Sequence, residues 1–126
     1  NFLKGKVVEE SGVCLFFGET AQPIHIQLTS RLAELVKGHA AKSLTLGVRP
    51  EHFSLCGEDD PAAIETKVEV GEPLGAESYM HLSSIGGDKL VVRLNGIIQS
   101  GIGESLFVKP DLEEAHLFDS ETEERL

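Results

Sequence analysis

Leu46-Gly47-Val48-Arg49-Pro50-Glu51-His52 takes the chain from an apolar run straight into a charged turn, and it limits what kind of fold the chain can have. Leu44, Leu46 and Val48 alternate with Thr45, Gly47 and Arg49, which is the period of a strand with one buried face. Pro50 fixes its own φ and pushes Arg49 toward an extended backbone, so strand pairing is expected to stop within a residue or two of it. Arg49 and Glu51 bracket the turn. A bidentate pair between them would pin it, and that clamp is preferred to an exposed signalling contact because the adjacent proline supplies fixed geometry. It follows that Arg49→Ala should destabilise the fold more than Arg31→Ala, since Arg31 reads as a helix-surface residue.

Upstream of this stretch, residues 6–10 and 13–17 are short apolar runs separated by Ser11-Gly12, the composition of a tight antiparallel hairpin. Residues 18–22 read as a loop. Ile24, Ile26 and Leu28 then alternate with His25 and Gln27 as a third strand. Over 30–37, Leu32, Leu35 and Val36 recur at helical spacing, with Ser30 as N-cap and Lys37-Gly38 as end signals. Downstream, Phe53 and Leu55 make a brief apolar touch before the clearest break in the chain, Gly57-Glu58-Asp59-Asp60-Pro61. Ile64, Thr66, Val68 and Val70 alternate with charged residues, and the run enters a bend at Pro73-Leu74-Gly75. Strands at 78–82 and 90–94 flank a Gly86-Gly87-Asp88 turn, and Asn95-Gly96 closes the meander. Leu106, Phe107 and Val108 follow two glycines, and 115–118 reads as a last short strand. Many short strands with glycine turns and one short helix predict an all-β chain built as a small antiparallel barrel; periodicity alone does not separate that from a sandwich.

The chain has 126 residues and a net charge of −10. Residues 1–57 carry six basic and five acidic groups, 58–108 three and nine, and 109–126 two and seven. Such a field repels phosphate backbones, and with no Trp and one Tyr a base-stacking platform is hard to assemble, so no nucleic-acid partner is expected. The acidic tail from Asp111 to Glu124 reads as a solvated face rather than a partner site. No metal is expected, because His25, His39, His52, His81 and His116 are scattered without ligand-like spacing. No catalytic residue is expected either: Ser78 and His81 would fall on opposite faces of a strand, and no spaced Gly-Lys-Ser/Thr wraps a phosphate. Cys14 and Cys56 read as reduced core residues. The first residue is not Met, and there is no basic-then-apolar leader or bilayer-length run. The expectation is a piece of a longer cytoplasmic protein.

Leu46 to His52 resembles the signature at the centre of the C-terminal regulatory domain of sugar-importer ABC ATPases, of the maltose and glycerol-phosphate type. Three further segments resemble it in the same order: Asn1-Phe2-Leu3 with Gly5, then Glu72-Pro73-Leu74-Gly75-Ala76-Glu77, then His116-Leu117-Phe118-Asp119 leading to Arg125-Leu126. The departure is Glu123, where the family usually carries Gly. The resemblance implies OB-type barrels with strands exchanged between two lobes, here 1–61 and 62–126, with the C-terminal segment returning to the first. It implies structural or regulatory roles for Arg49, Pro50, Glu51, His52, Leu74, Gly75, Glu77, His116, Leu117 and Phe118; whether 72–77 is a functional loop or only a bend stays open. It further implies a non-catalytic regulatory and dimerisation module without a cofactor of its own. ATP and Mg would be held by an ATPase domain upstream in the same chain. The expected partners are a second copy, that ATPase domain, the transporter's membrane subunits and regulatory proteins, at the cytoplasmic face of the membrane. Sugars or polyols are the expected cargo. The alternative is a transport-associated barrel that binds an oxyanion such as molybdate. That would require cationic or NH-rich loops, and the acidic second half offers few cations beyond Lys67, Lys89 and Arg93.

Overall fold

The computed structural model of the chain describes residues 1–20, 24–37, 43–96 and 100–126. Two five-stranded antiparallel sheets of OB type share one core. In the first, β1 (Phe2–Glu10) and β2 (Val13–Gly18) pair around Ser11 and Gly12, whose φ values of 51° and 83° are those of a two-residue hairpin turn. β3 (His25–Gln27) extends β2, and α1 (Ser30–Lys37) follows. The cap lies one residue ahead of the expected one. Thr29 Oγ1 accepts from the Leu32 amide at 3.4 Å, and the Thr29 carbonyl from the Ala33 amide at 2.9 Å. Gly38, the expected end signal, His39 and residues 21–22 of the expected loop lie outside the described residues.

β4 (Leu44–Gly47) was expected to be half-buried, yet all four of its residues are buried. The cause is β10 (His116–Asp119), which returns from the far end of the chain to flank β4 opposite β1 and lays the Phe118 ring over Gly47. A 3-10 turn at Pro50–His52 then carries the chain into the second sheet, where Phe53–Leu55 is a full strand, β5, paired with β9 (Ser105–Pro110). The break at 57–61 therefore connects two strands of the second sheet, while the chain changes sheets earlier, at Pro50.

β6 (Ile64–Leu74) and β7 (Glu77–Ser84) form the longest hairpin, continued by β8 (Lys89–Asn95). The first sheet thus has the order β10-β4-β1-β2-β3 and the second β5-β9-β6-β7-β8. The alternation in 64–70 does not run through unbroken. The β6–β7 register shifts between Val68 and Val70, so Val70, written in phase with Val68, turns outward and is 48% exposed. One cluster of buried side chains runs through both sheets, with Phe16, Leu32, Leu46, Val92, Val108 and Leu117 fully enclosed. Cys14 is buried and Cys56 half-buried, both as free thiols. Burial, and then the charge of Asp60, push the Cys56 thiol above its usual pKa, against the opposing field of Lys109, and so keep it protonated.

Candidate functional site

The passage between the sheets is built as its sequence requires. Arg49, held extended by the following proline, has φ −70° and ψ 152°, and Pro50 occupies the first turn, where its missing N–H costs nothing. The His52 amide donates to the Arg49 carbonyl at 3.0 Å, and the His52 carbonyl accepts from the Asp111 amide at 2.7 Å. The turn packs on β8. His52 is half-buried, and its Nδ1 is enclosed with no hydrogen-bond partner among the described residues.

The expected Arg49–Glu51 clamp does not form. Among the described residues the ion pairs do not include it, and both side chains are exposed. Residues two apart on a tight turn do not face each other. The Glu51 carboxyl is instead held below the usual carboxylate range first by its own backbone amide, then by His52 and Arg93, with Arg49 contributing least. Arg93 on β8 is the cation that matters to this corner. It grips Glu77 of β7 through two bonds, Nε to Oε2 at 2.5 Å and Nη2 to Oε1 at 3.0 Å. The hydrogen bond and charge of Glu77, followed by the Tyr79 hydroxyl, raise the Arg93 pKa further. Glu51, Arg93 and Glu77 thus form one electrostatic line from the 3-10 turn across β8 to β7. Its only signal in the sequence was a cation at an outward position of the 90–94 strand.

Leu74, Gly75 and Glu77 belong to the tip of the β6–β7 hairpin. Leu74 pairs with Glu77 across a two-residue turn, and Gly75 supplies φ +69°. His116, Leu117 and Phe118 of β10 oppose Gly47, Leu46 and Thr45. The Phe118 ring leaves no room beside Gly47, where an added Cβ would approach Phe118 Cε2 to 2.8 Å. It meets the Phe2 ring edge-on, centroids 5.8 Å apart at 70°. Asn1 closes the same corner, exchanging main-chain hydrogen bonds with Val48 at 3.0 and 2.9 Å. The structure therefore brings the first, second and fourth segments singled out in the sequence into contact. The third is tied through Glu77 to Arg93 of β8, the strand on which the 3-10 turn packs.

Phe2 and Phe118, with Lys4, Thr45, Asp119, Ser120 and Glu123, line an open cleft of about 380 Å³. Several of its polar groups are already engaged in holding the turn. Thr45 Oγ1 and Ser120 Oγ are 2.8 Å apart, and Asp119 Oδ1 accepts from the Glu121 and Thr122 amides. Glu123 closes that turn with φ +63°, a region L residues enter at a cost of roughly 1–2 kcal/mol and glycine enters freely. Glu123→Gly is accordingly expected to raise stability by about 0.5–1 kcal/mol, after the extra freedom of glycine in the unfolded chain is subtracted. A denaturant midpoint that falls instead would show that the Glu123 side chain contributes more than its backbone strain costs.

Among the described residues no three His, Cys, Asp or Glu side chains converge as a metal cradle. Ser78 is buried and donates to the Gly96 carbonyl at 2.9 Å, while His81, on the opposite face, sits 3.0 Å from Glu72. No described helix is long and apolar enough to cross a membrane.

Two family models match the chain, the MalK OB fold domain over residues 1–53 and the TOBE domain over 46–118. They overlap at the 3-10 turn and its preceding strand. Among curated proteins the chain is 36% identical to the uncharacterized ABC transporter ATP-binding protein YurJ of Bacillus subtilis, with 98% of the chain and 34% of the relative covered. It is 40% identical to the sn-glycerol-3-phosphate import ATP-binding protein UgpC of Cereibacter sphaeroides, over 72% of the chain and 26% of the relative. The UgpC of Salmonella typhi is 37% identical over 71% and 25%. The chain thus spans about a quarter to a third of these relatives. Among solved structures, the cytoplasmic molybdate-binding protein ModG superposes with a TM-score of 0.66 at 16% identity, covering 93% of this chain and 94% of that one, a likeness of fold alone. By the second of these matches, which covers more than half of the chain, the chain belongs to the TOBE domain family, and its first 53 residues are similar to the MalK OB fold domain.

Proposed function

We propose that the chain is a non-catalytic regulatory and dimerisation module of the ATP-binding subunit of an ABC importer for sugars or related solutes. The observation that carries this reading is the pair of family matches that together run from residue 1 to 118, alongside relatives named as an ABC transporter ATP-binding protein and an sn-glycerol-3-phosphate import ATP-binding protein. In this reading an ATPase domain ahead of Asn1 holds ATP and Mg and performs the hydrolysis. Membrane subunits carry the solute through the membrane, and this module, at its inner face, keeps two ATPase subunits joined at their far ends while the nucleotide lobes close. Pro50 and the bond from the His52 amide to the Arg49 carbonyl would fix the turn between the sheets, on which the Arg49 and Glu51 side chains stand exposed, with His116, Leu117 and Phe118 tying the C-terminal strand to it. Leu74, Gly75 and Glu77 would present the outer hairpin to a partner.

An oxyanion-binding module is the second reading, prompted by the likeness to ModG, a molybdate-binding protein. Charge weighs against it. The open cleft beside Phe118 sets the acids Asp119 and Glu123 against Lys4, and the apolar cavity at Val70, Pro73, Met80 and Ile102 has no lining cation among the described residues.

Dimerisation is testable on the chain itself. Val70, Leu74 and Ile102 are 48, 52 and 81% exposed, apolar area of the kind a two-fold partner would cover. Sedimentation over a concentration series is expected to show a mass rising from one chain toward two. Without ATPase lobes to add a linked contact, association is expected to be weaker than in the intact subunit by roughly 10²–10⁴. A mass that remains at one chain up to millimolar concentration would remove self-association and leave partner binding as the role.

A further inference from the structure

We propose that the Asn1 side chain is a latch that fastens the lead-in of the first strand to the second sheet, so that both sheets move as one body with whatever polypeptide precedes Asn1. Its bonds run to both sheets. The Asn1 backbone lies beside Val48, at the end of β4, and exchanges hydrogen bonds with it in both directions. Its carboxamide reaches the other way. Oδ1 accepts from the Val91 amide at 2.7 Å, and Nδ2 donates to the Val91 carbonyl at 2.8 Å and to the Val48 carbonyl at 3.1 Å.

Among the described residues β8 is the terminal strand of its sheet, so the Val91 N–H and C=O that turn away from β7 have no neighbouring described strand to pair with. The carboxamide has the donor and acceptor of a peptide unit in the same plane, and it completes the pair that a further strand would have made. One residue thereby caps the open edge of the second sheet while leading into the central strand of the first. The attachment point is also mechanically placed. The 3-10 turn packs on β8, and two residues along the same strand Arg93 holds Glu77 of β7. A displacement of Asn1 therefore acts on β8 and the inter-sheet turn directly rather than being absorbed in a loose lead-in. Phe2 plays no part in this link, because strand alternation sends its ring to the opposite face, against Phe118.

The latch itself does not depend on the proposed function; only its use in carrying motion from an ATPase domain rests on that reading. Hydrogen exchange followed by NMR tests it, on the chain with at least one residue ahead of Asn1 so that its amine is a peptide nitrogen. In Asn1→Ala the Val91 amide is expected to exchange about tenfold faster after correction for global stability, while Met80 and Leu82 in the interior strand β7 keep their rates. Asn1→Asp retains the acceptor for the Val91 amide but loses both donors, and Val91 should exchange at an intermediate rate. Phe2→Ala, which loosens the same segment without touching the carboxamide, should leave Val91 protected. Unchanged Val91 exchange in Asn1→Ala overturns the latch. So does an equal rise in Asn1→Ala and Phe2→Ala, which would mean general fraying of the first residues. Should Asn1→Ala not fold, the comparison of Asn1→Asp with Phe2→Ala decides by the same criterion. A latch that passes this test in a chain that never self-associates would count against the proposed function and leave the latch standing.

Discussion

Gly5→Ala is expected to be the most damaging single-atom-scale change in the first sheet, lowering stability by about 3 kcal/mol. Gly5 pairs with Gly18 on one side and Leu44 on the other, and a Cβ at this position would fall 2.2 Å from the Phe17 carbonyl oxygen, 2.9 Å from its carbon and 2.7 Å from Phe16 Cζ. Two of those three atoms are backbone and cannot rotate away. The third belongs to a fully buried ring at the centre of the core. Relief requires β2 to move off β1, which strains the Ser11-Gly12 hairpin and the packing of Phe16 together. Gly57→Ala is the control, since nothing lies within 4 Å of a Cβ there, and it should change stability by no more than about 0.5 kcal/mol. Equal denaturant midpoints for the two variants would mean that the β1–β2 separation adjusts without cost.

Arg31→Ala is expected to destabilise more than Arg49→Ala, the reverse of the order the sequence suggests. Arg31 is the first residue after the Ser30 that opens α1, and its Nη2 donates to the carbonyls of Leu112, Glu113 and Ala115 at 2.9, 3.1 and 2.7 Å. Those carbonyls lie in the turn that leads β9 into β10, so one guanidinium ties the helix to the strand that completes the first sheet. The side chain is exposed and partly solvated. A charge-assisted bond to each carbonyl is therefore discounted, and the loss is set at about 1–2 kcal/mol. Arg49 has no such partner among the described residues, and its removal should cost no more than about 0.5 kcal/mol. Melts of the two variants decide the order, and an Arg49→Ala midpoint below that of Arg31→Ala would restore the clamp.

What could be read from the sequence, and what could not, follows from the range of each interaction. Ser11-Gly12 announced its hairpin because a two-residue turn is a local backbone requirement, and Pro50 announced the end of β4 for the same reason. The alternation of 44–48 was visible, but its half-buried reading failed, because the strand that closes its free edge, and lays the Phe118 ring over Gly47, comes from residues 116–119. The register shift after Val68 left no mark in the letters, since the apolar alternation continues through the position at which the strand slips. The helix cap moved from Ser30 to Thr29 because neighbouring residues of nearly equal capping strength compete for one position. Around the inter-sheet turn, the motif positions were legible as segments, but their partners were not. Arg49 and Glu51 sit close in sequence and face apart, whereas Arg93 meets Glu77 across a strand pair, and Arg31 reaches the far turn across the fold. Asn1 stood within a motif, and nothing in that motif indicated that its carboxamide would complete the edge of β8.

Whether this chain is the regulatory module of an ABC importer ATP-binding subunit can be decided by reading the coding sequence ahead of Asn1. The expected result is an open reading frame continuous with Asn1 that carries Gly-x-x-x-x-Gly-Lys-Ser/Thr and an ABC signature, the parts that wrap and hydrolyse a nucleotide. An in-frame start immediately before Asn1, or a preceding domain with no nucleotide-binding loop, would contradict it.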